Sequence, residues 1–121
     1  MPKILIVDDD VAITELMKFL VSMEGHEPVT VNDSLKAIDV ANSVQPDLIT
    51  LDLMMPGMTG FELCELLHSD PRFADTPIII VSARDDAESK EKALTLGAND
   101  YLTKPFAADD LIGRIKSLTT P

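Results

Sequence analysis

Apolar positions fall in two rhythms along this chain. Three short runs, Ile4–Val7, Leu48–Leu51 and Ile78–Val81, are almost wholly aliphatic. Runs apolar on both faces predict strands buried on both sides, as in a parallel sheet covered by helices. Two more polar segments, Glu27–Val31 and Asn99–Thr103, predict strands at the sheet edges. Between the strands the period becomes helical. Ile13, Leu16, Met17 and Leu20 stand at i, i+3, i+4 and i+7. So do Ala37, Val40, Ala41 and Val44, and so do Ala108, Leu111, Ile112 and Ile115. Each set predicts one apolar stripe on an amphipathic helix. Thr59-Gly60-Phe61-Glu62 has the form of a capping box and opens another helix. The fourth helix is expected over Asp86–Leu96, with Gly97 as its C-cap. Its apolar face is thin, which makes it the least firmly held. The longest irregular connection, His68–Pro77, contains Asp70-Pro71 and Thr76-Pro77, both turn or extended signals.

The order is thus strand–helix five times over. With right-handed crossovers it predicts a doubly wound α/β sheet. At 121 residues, the span 1–121 reads as one domain. Four Phe, one Tyr and no Trp leave the core to aliphatic side chains. The net charge of −11 repels phosphate backbones and anionic lipid, so direct nucleic-acid or membrane binding by this segment is not expected. Cys64 is the only cysteine and lies in a helical apolar pattern, so it reads as a buried, inert thiol. The first apolar run is too short for a signal peptide and no stretch could span a membrane, so a cytoplasmic protein is expected.

In such sheets ligands bind beyond the carboxyl ends of the strands. The first strand ends in Asp8-Asp9-Asp10, the third in Asp52 and the fourth in Ser82, and the fifth leads into Lys104-Pro105. Each has an ordinary explanation. An acidic run before a helix caps it, Asp52 can form a turn, Ser82 can be a turn hydroxyl, and Lys104 a surface lysine. Independent turn chemistry has no reason to put acids after strands one and three and a cation after strand five. Crowded carboxylates repel and call for a cation. An all-oxygen cluster suits Mg²⁺, whereas the lack of clustered Cys and His disfavours zinc. Mg²⁺ would neutralise the acids and an incoming phosphoryl oxygen. Lys104 would neutralise more of that charge, and Ser82 would donate a hydrogen bond to it.

Four stretches carry a family pattern: Ile4–Asp10, Leu51–Gly60, Val81-Ser82-Ala83 and Gly97–Phe106. In this order and spacing the chain resembles, over essentially its whole length, the receiver domains of two-component response regulators, the chemotaxis regulator among them. The resemblance implies a flavodoxin-like sheet of strand order 2-1-3-4-5 with five helices. It implies a signalling switch, and no turnover enzyme, in which Asp52 accepts a phosphoryl group from a histidine kinase or histidine phosphotransfer protein. It implies Mg²⁺ held by Asp9 and Asp52, with Asp8 assisting through water and the Met54 carbonyl as a further ligand. Lys104 would pair with the acyl phosphate. Ser82 and Tyr101 would be the switch pair, and Met54 and Arg84 the positions that tune the acyl-phosphate lifetime. The Lys104-Pro105 bond is a candidate for the cis isomer. The surface formed by the fourth helix, fifth strand and fifth helix would be the output face toward an effector domain or downstream protein, or toward a second copy in a homodimer.

Two other readings compete. An aspartate-nucleophile phosphatase on a similar fold would carry Asp-x-Asp after the third strand, but Met54 stands where its general acid belongs. A flavodoxin-like binding module that never takes phosphate would want a hydroxyl- and glycine-rich loop after the first strand, where this chain has three acids. No P-loop motif is present.

Overall fold

The computed structural model describes residues 2–120. β1 (Lys3–Val7), β2 (Glu27–Val31), β3 (Leu48–Leu51), β4 (Ile78–Ser82) and β5 (Asp100–Thr103) form one sheet in the order β2-β1-β3-β4-β5. Every pairing is parallel. The helices are α1 (Val11–Met23), α2 (Ala37–Val44), α3 (Gly60–Ser69), α4 (Ala87–Thr95) and α5 (Ala108–Thr119). A 3₁₀ turn, Ser34–Lys36, precedes α2. The more polar strands β2 and β5 are the edges, because an edge has one face of its ladder unpaired and tolerates exposure.

Alternation within each strand builds two cores. Ile4, Ile6, Ile79 and Val81 pack on one face with Met17 and Val21 of α1 and Leu111 and Ile115 of α5. Leu5, Val7, Ile49, Leu51 and Ile80 pack on the other with Ala41 of α2, Leu63 and Leu67 of α3, and Ala93 of α4. Each fully buried aliphatic side chain contributes roughly 1.5–3 kcal/mol. Cys64 is buried in the second core, and burial pushes its thiol up to about 11, so it stays protonated. No helix among the described residues is long and apolar enough to cross a membrane.

Several expectations need correction. Leu16 is 47% exposed. The buried line of α1 is Thr14, Met17 and Val21, rotated from the expected stripe because the Thr14 hydroxyl is satisfied by the Val11 carbonyl at 3.0 Å. Ala108 is exposed at the start of α5, where the stripe begins only at Leu111. β5 starts at Asp100. Asn99 instead brackets Ile78, accepting its N–H at 3.0 Å and donating its own N–H to the Ile78 carbonyl at 2.8 Å. α3 continues to Ser69, and Phe73 anchors the shortened connection by burying its ring in the core. α4 buries only Ser89 and Ala93, and Gly97 follows its last turn at φ +117°. A Cβ there would stand 2.3 Å from Cγ of His68.

Candidate functional site

The carboxyl ends of β1 and β3 are neighbours, with Val7 in register with Leu51. Asp8 and Asp52 follow those two residues directly. One carboxylate oxygen from each of Asp8, Asp9 and Asp52 lies within 4.8 Å of the others. Asp8 and Asp52 are buried, and Asp9 is exposed. Asp10 is separated from them by function. It is the N-cap of α1, accepting the Ala12 and Ile13 N–H groups at 3.0 and 3.4 Å. The ordinary explanation therefore holds for Asp10.

Lys104 arrives from the end of β5, where its N–H donates to the Ser82 carbonyl at 2.8 Å. Its Nζ lies 2.6 Å from Asp8 Oδ2 and 3.6 Å from Asp52 Oδ2. The Lys104–Pro105 peptide is cis. The other Asp8 oxygen accepts the Asp10 N–H at 2.9 Å. Asp52 is served less well: its nearest donor besides Lys104 is the Met54 N–H at 3.5 Å. Burial first, and then the negative charge of Asp8, push its carboxyl up to about 6, against the opposing pull of Lys104. The shorter contact pairs Lys104 chiefly with Asp8 and leaves Asp52 short of positive charge.

Of the remaining expected residues, Met54 bonds this group through its N–H, and Ser82, Tyr101 and Arg84 stand beside it. The Ser82 hydroxyl is fully buried and accepts the Arg84 N–H at 3.3 Å. The Tyr101 hydroxyl donates to the Arg84 carbonyl at 2.6 Å, and partial burial raises its pKa. The Arg84 side chain pairs with Asp86, both half exposed. The Met54 side chain is 59% exposed, and only its N–H faces Asp52.

Three residues that hold the site together escaped the sequence reading. In the sequence Gly60 belongs to a capping box and to the Leu51–Gly60 stretch, with no sign of what it packs against. A Cβ on it would stand 2.1 Å from the Asp52 carbonyl oxygen, so α3 can start this close to the site only with glycine. Asn32 and the buried Ser34 lie in the turn after β2 and bond to backbone atoms of the loops after β1 and β3. Asn32-Asp33-Ser34 is a turn-forming run, but nothing local marks partners 22–24 residues away. A cavity of about 420 Å³ lined by Pro2, Asp47, Leu118 and Thr119 lies at the other end of the sheet and holds none of these groups.

Comparison with known proteins gives the same picture. Residues 4–116 match the response regulator receiver domain family. The chain is 41% identical over 118 residues to the DNA-binding dual master transcriptional regulator RpaA of a Synechocystis species, covering 98% of this chain and 49% of that protein. It is 37% identical to the phosphate regulon transcriptional regulatory protein PhoB of Klebsiella pneumoniae, covering 96% and 51%. The chain thus spans about half the length of these curated relatives. Among solved structures, the receiver domain of the Francisella response regulator 1452 is 37% identical with a TM-score of 0.91, covering 98% of this chain and 97% of that one. The Vibrio cholerae chemotaxis protein CheY4 is 30% identical with a TM-score of 0.92, covering 98% of each. Neither the phosphatase nor the flavodoxin-like carrier is favoured by these matches. The fold, the acids that close on one point and the extent of the match together make this chain a member of the response regulator receiver domain family, the phosphoacceptor switches of two-component signalling.

Proposed function

We propose that Asp52 is the residue that takes the phosphoryl group, from a phosphohistidine on a kinase or phosphotransfer protein. The observation that carries this is the closure of Asp8, Asp9 and Asp52 within 4.8 Å beside an ammonium 3.6 Å from Asp52. The donor set fits Mg²⁺. It is all oxygen, two of its acids are buried, and the single lysine leaves it with excess negative charge. Asp9, Asp52 and the Met54 carbonyl, with Asp8 through water, would hold the ion, which when bound supplies charge neutralisation for the phosphoryl oxygens.

The Asp52 carboxylate then forms a new O–P bond as the P–N bond to imidazole breaks, the electron pair leaving with the nitrogen. The chain's own contribution is positioning and electrostatics, as in other phosphoryl transfers. Burial makes Asp52 hard to ionise, which leaves an ionised Asp52 poorly stabilised and reactive once a cation is present. Lys104 can leave Asp8 for a phosphoryl oxygen without a large movement, since it already lies between the two acids.

Phosphorylation adds about −1.5 to −2 charges. Bonds from Ser82 and Lys104 to the new oxygens are worth roughly 1.5–3 kcal/mol each. Together they approach the roughly 5.5 kcal/mol that turns a 1:99 equilibrium into 99:1. Ser82 is now held to the Arg84 N–H and Tyr101 to the Arg84 carbonyl, so drawing Ser82 toward the phosphate would disturb both at once. The disturbance would pass to the face of α4, β5 and α5, which we assign as the output surface toward an effector or a second copy. The whole span 1–121 acts as one cytoplasmic receiver unit. It catalyses only its own phosphorylation and dephosphorylation and makes no direct contact with nucleic acid. Met54 and Arg84 set how long the acyl phosphate lasts.

The test is labelling by a small-molecule phosphodonor, with Mg²⁺ or with chelator, in the parent and in Asp52→Asn. Mg²⁺-dependent labelling of the parent alone is expected. Equal labelling of both chains excludes Asp52 as the acceptor.

A further inference from the structure

Two polar side chains in the turn after β2 spend their bonds on other elements. Nδ2 of Asn32 donates to the Asp8 carbonyl at 2.9 Å and to Oγ1 of Thr14 at 3.0 Å. Thr14 is fully buried, and its hydroxyl passes its own proton to the Val11 carbonyl. Two residues on, the buried Ser34 donates to the Pro56 carbonyl at 2.9 Å and accepts the Met58 N–H at 3.1 Å. Leu35 sits against Gly57, where an added Cβ would lie 3.2 Å from its Cγ.

The topology explains why this matters. β2 is the edge strand, β1 is next and β3 follows. A turn after β2 that reaches Pro56 and Met58 has crossed the end of β1, and on the way it holds Asp8. It therefore ties together the two loops that carry Asp8, Asp9 and Asp52. The segment from Asp52 to Thr59 has no helix or strand of its own. Its backbone groups need partners from elsewhere. Ser34 satisfies one donor and one acceptor of that segment with a single hydroxyl.

On the reading of the acids as a cation and phosphoryl site, we infer that Asn32 and Ser34 are positioning residues. They set the spacing between the strand-one carboxylates and the loop after β3, and through it the affinity for a divalent cation. Neither side chain bonds Asp52. Both act through backbone they hold.

The test is calorimetric titration of Mg²⁺ into the full chain and into Ser34→Ala, Asn32→Ala and Ser89→Ala. Ser89 is a matched control: it is also buried, and its hydroxyl bonds only Asp86 at the start of its own helix. Ser34→Ala and Asn32→Ala are expected to raise the Mg²⁺ dissociation constant about tenfold, the low end for outer partners of metal ligands. Ser89→Ala should melt at a lower temperature and keep the parent's Mg²⁺ affinity. Asn32 is exposed, so its variant decides the matter if Ser34→Ala does not fold. Lower melting temperatures with unchanged Mg²⁺ affinity in both turn variants would overturn the inference, as would an equal loss of affinity in Ser89→Ala. A parent that binds no Mg²⁺ would instead remove the cation-site reading, and this inference with it.

Discussion

Replacing Asp52 by asparagine should stabilise the metal-free protein, although it removes the proposed acceptor. The side chain keeps its shape and loses a charge that the fold accommodates poorly. Burial and Asp8 raise the Asp52 carboxyl from an ordinary 3.8 to about 6. The sign follows from proton counting. Between those two values the folded chain binds more protons than the unfolded one, so stability falls as pH rises through the window. The loss is absent below it and complete above it. A rise of about two pH units at about 1.36 kcal/mol each gives an upper figure of about 3 kcal/mol. For a domain of this length that is on the order of 10 °C in melting temperature. The assay is thermal unfolding of parent and Asp52→Asn in chelator at pH 7.5 and pH 4.5, scored as the difference between the two chains. The difference should favour Asp52→Asn at pH 7.5 and shrink at pH 4.5. Adding Mg²⁺ at pH 7.5 should narrow it by stabilising the parent more. An Asp52→Asn chain no more stable than the parent at pH 7.5, or an advantage equal at both pH values, would refute the reasoning.

Other outcomes follow from the same geometry. Lys104→Met should slow labelling by a small phosphodonor about a hundredfold, the scale for losing one preorganised charge partner, with circular dichroism confirming the fold. Gly60→Ala should cost about 2–3 kcal/mol by denaturant unfolding, because its Cβ would meet the Asp52 carbonyl. Gly113→Ala, in an open position on α5, should instead add about 0.5–1 kcal/mol. Hydrogen exchange should find α4 opening more readily than α3, since α4 buries only Ser89 and Ala93 whereas α3 buries Leu63, Cys64 and Leu67. The acyl phosphate should decay at a slow to moderate rate, with Met54 offering no polar group to orient water. A directly measured lifetime of seconds or less would count against that assignment.

The parts of the fold legible in the sequence are those that depend on a residue's own neighbours. The β1, β3 and β4 runs are apolar on both faces because both faces are covered, and that pattern is local. Even the edge placement of β2 and β5 follows from their polarity. Legibility stops where one residue fits two patterns. Leu16 and Thr14 compete for the buried side of α1, and Thr14 wins because Val11 and Asn32 satisfy its hydroxyl. Hydropathy alone ranks them the other way. Asp8, Asp9 and Asp10 look equivalent in the sequence, yet one is a cap and two face Asp52, since the chain turns into α1 between them. Asn32 and Ser34 were invisible because their partners are backbone atoms of other loops, which carry no residue identity to read. Phe73 hid in a stretch of Pro and Asp that reads as solvated loop.

The most direct measurement is the position of the label itself. The parent is phosphorylated in Mg²⁺, the acyl phosphate is trapped by borohydride reduction, and the modified residue is located by peptide mass spectrometry. Modification at Asp52 alone is the expected result. Reduction found at Asp8 or Asp9, or spread among the three acids, would contradict the assignment of Asp52 as the group that receives the phosphoryl.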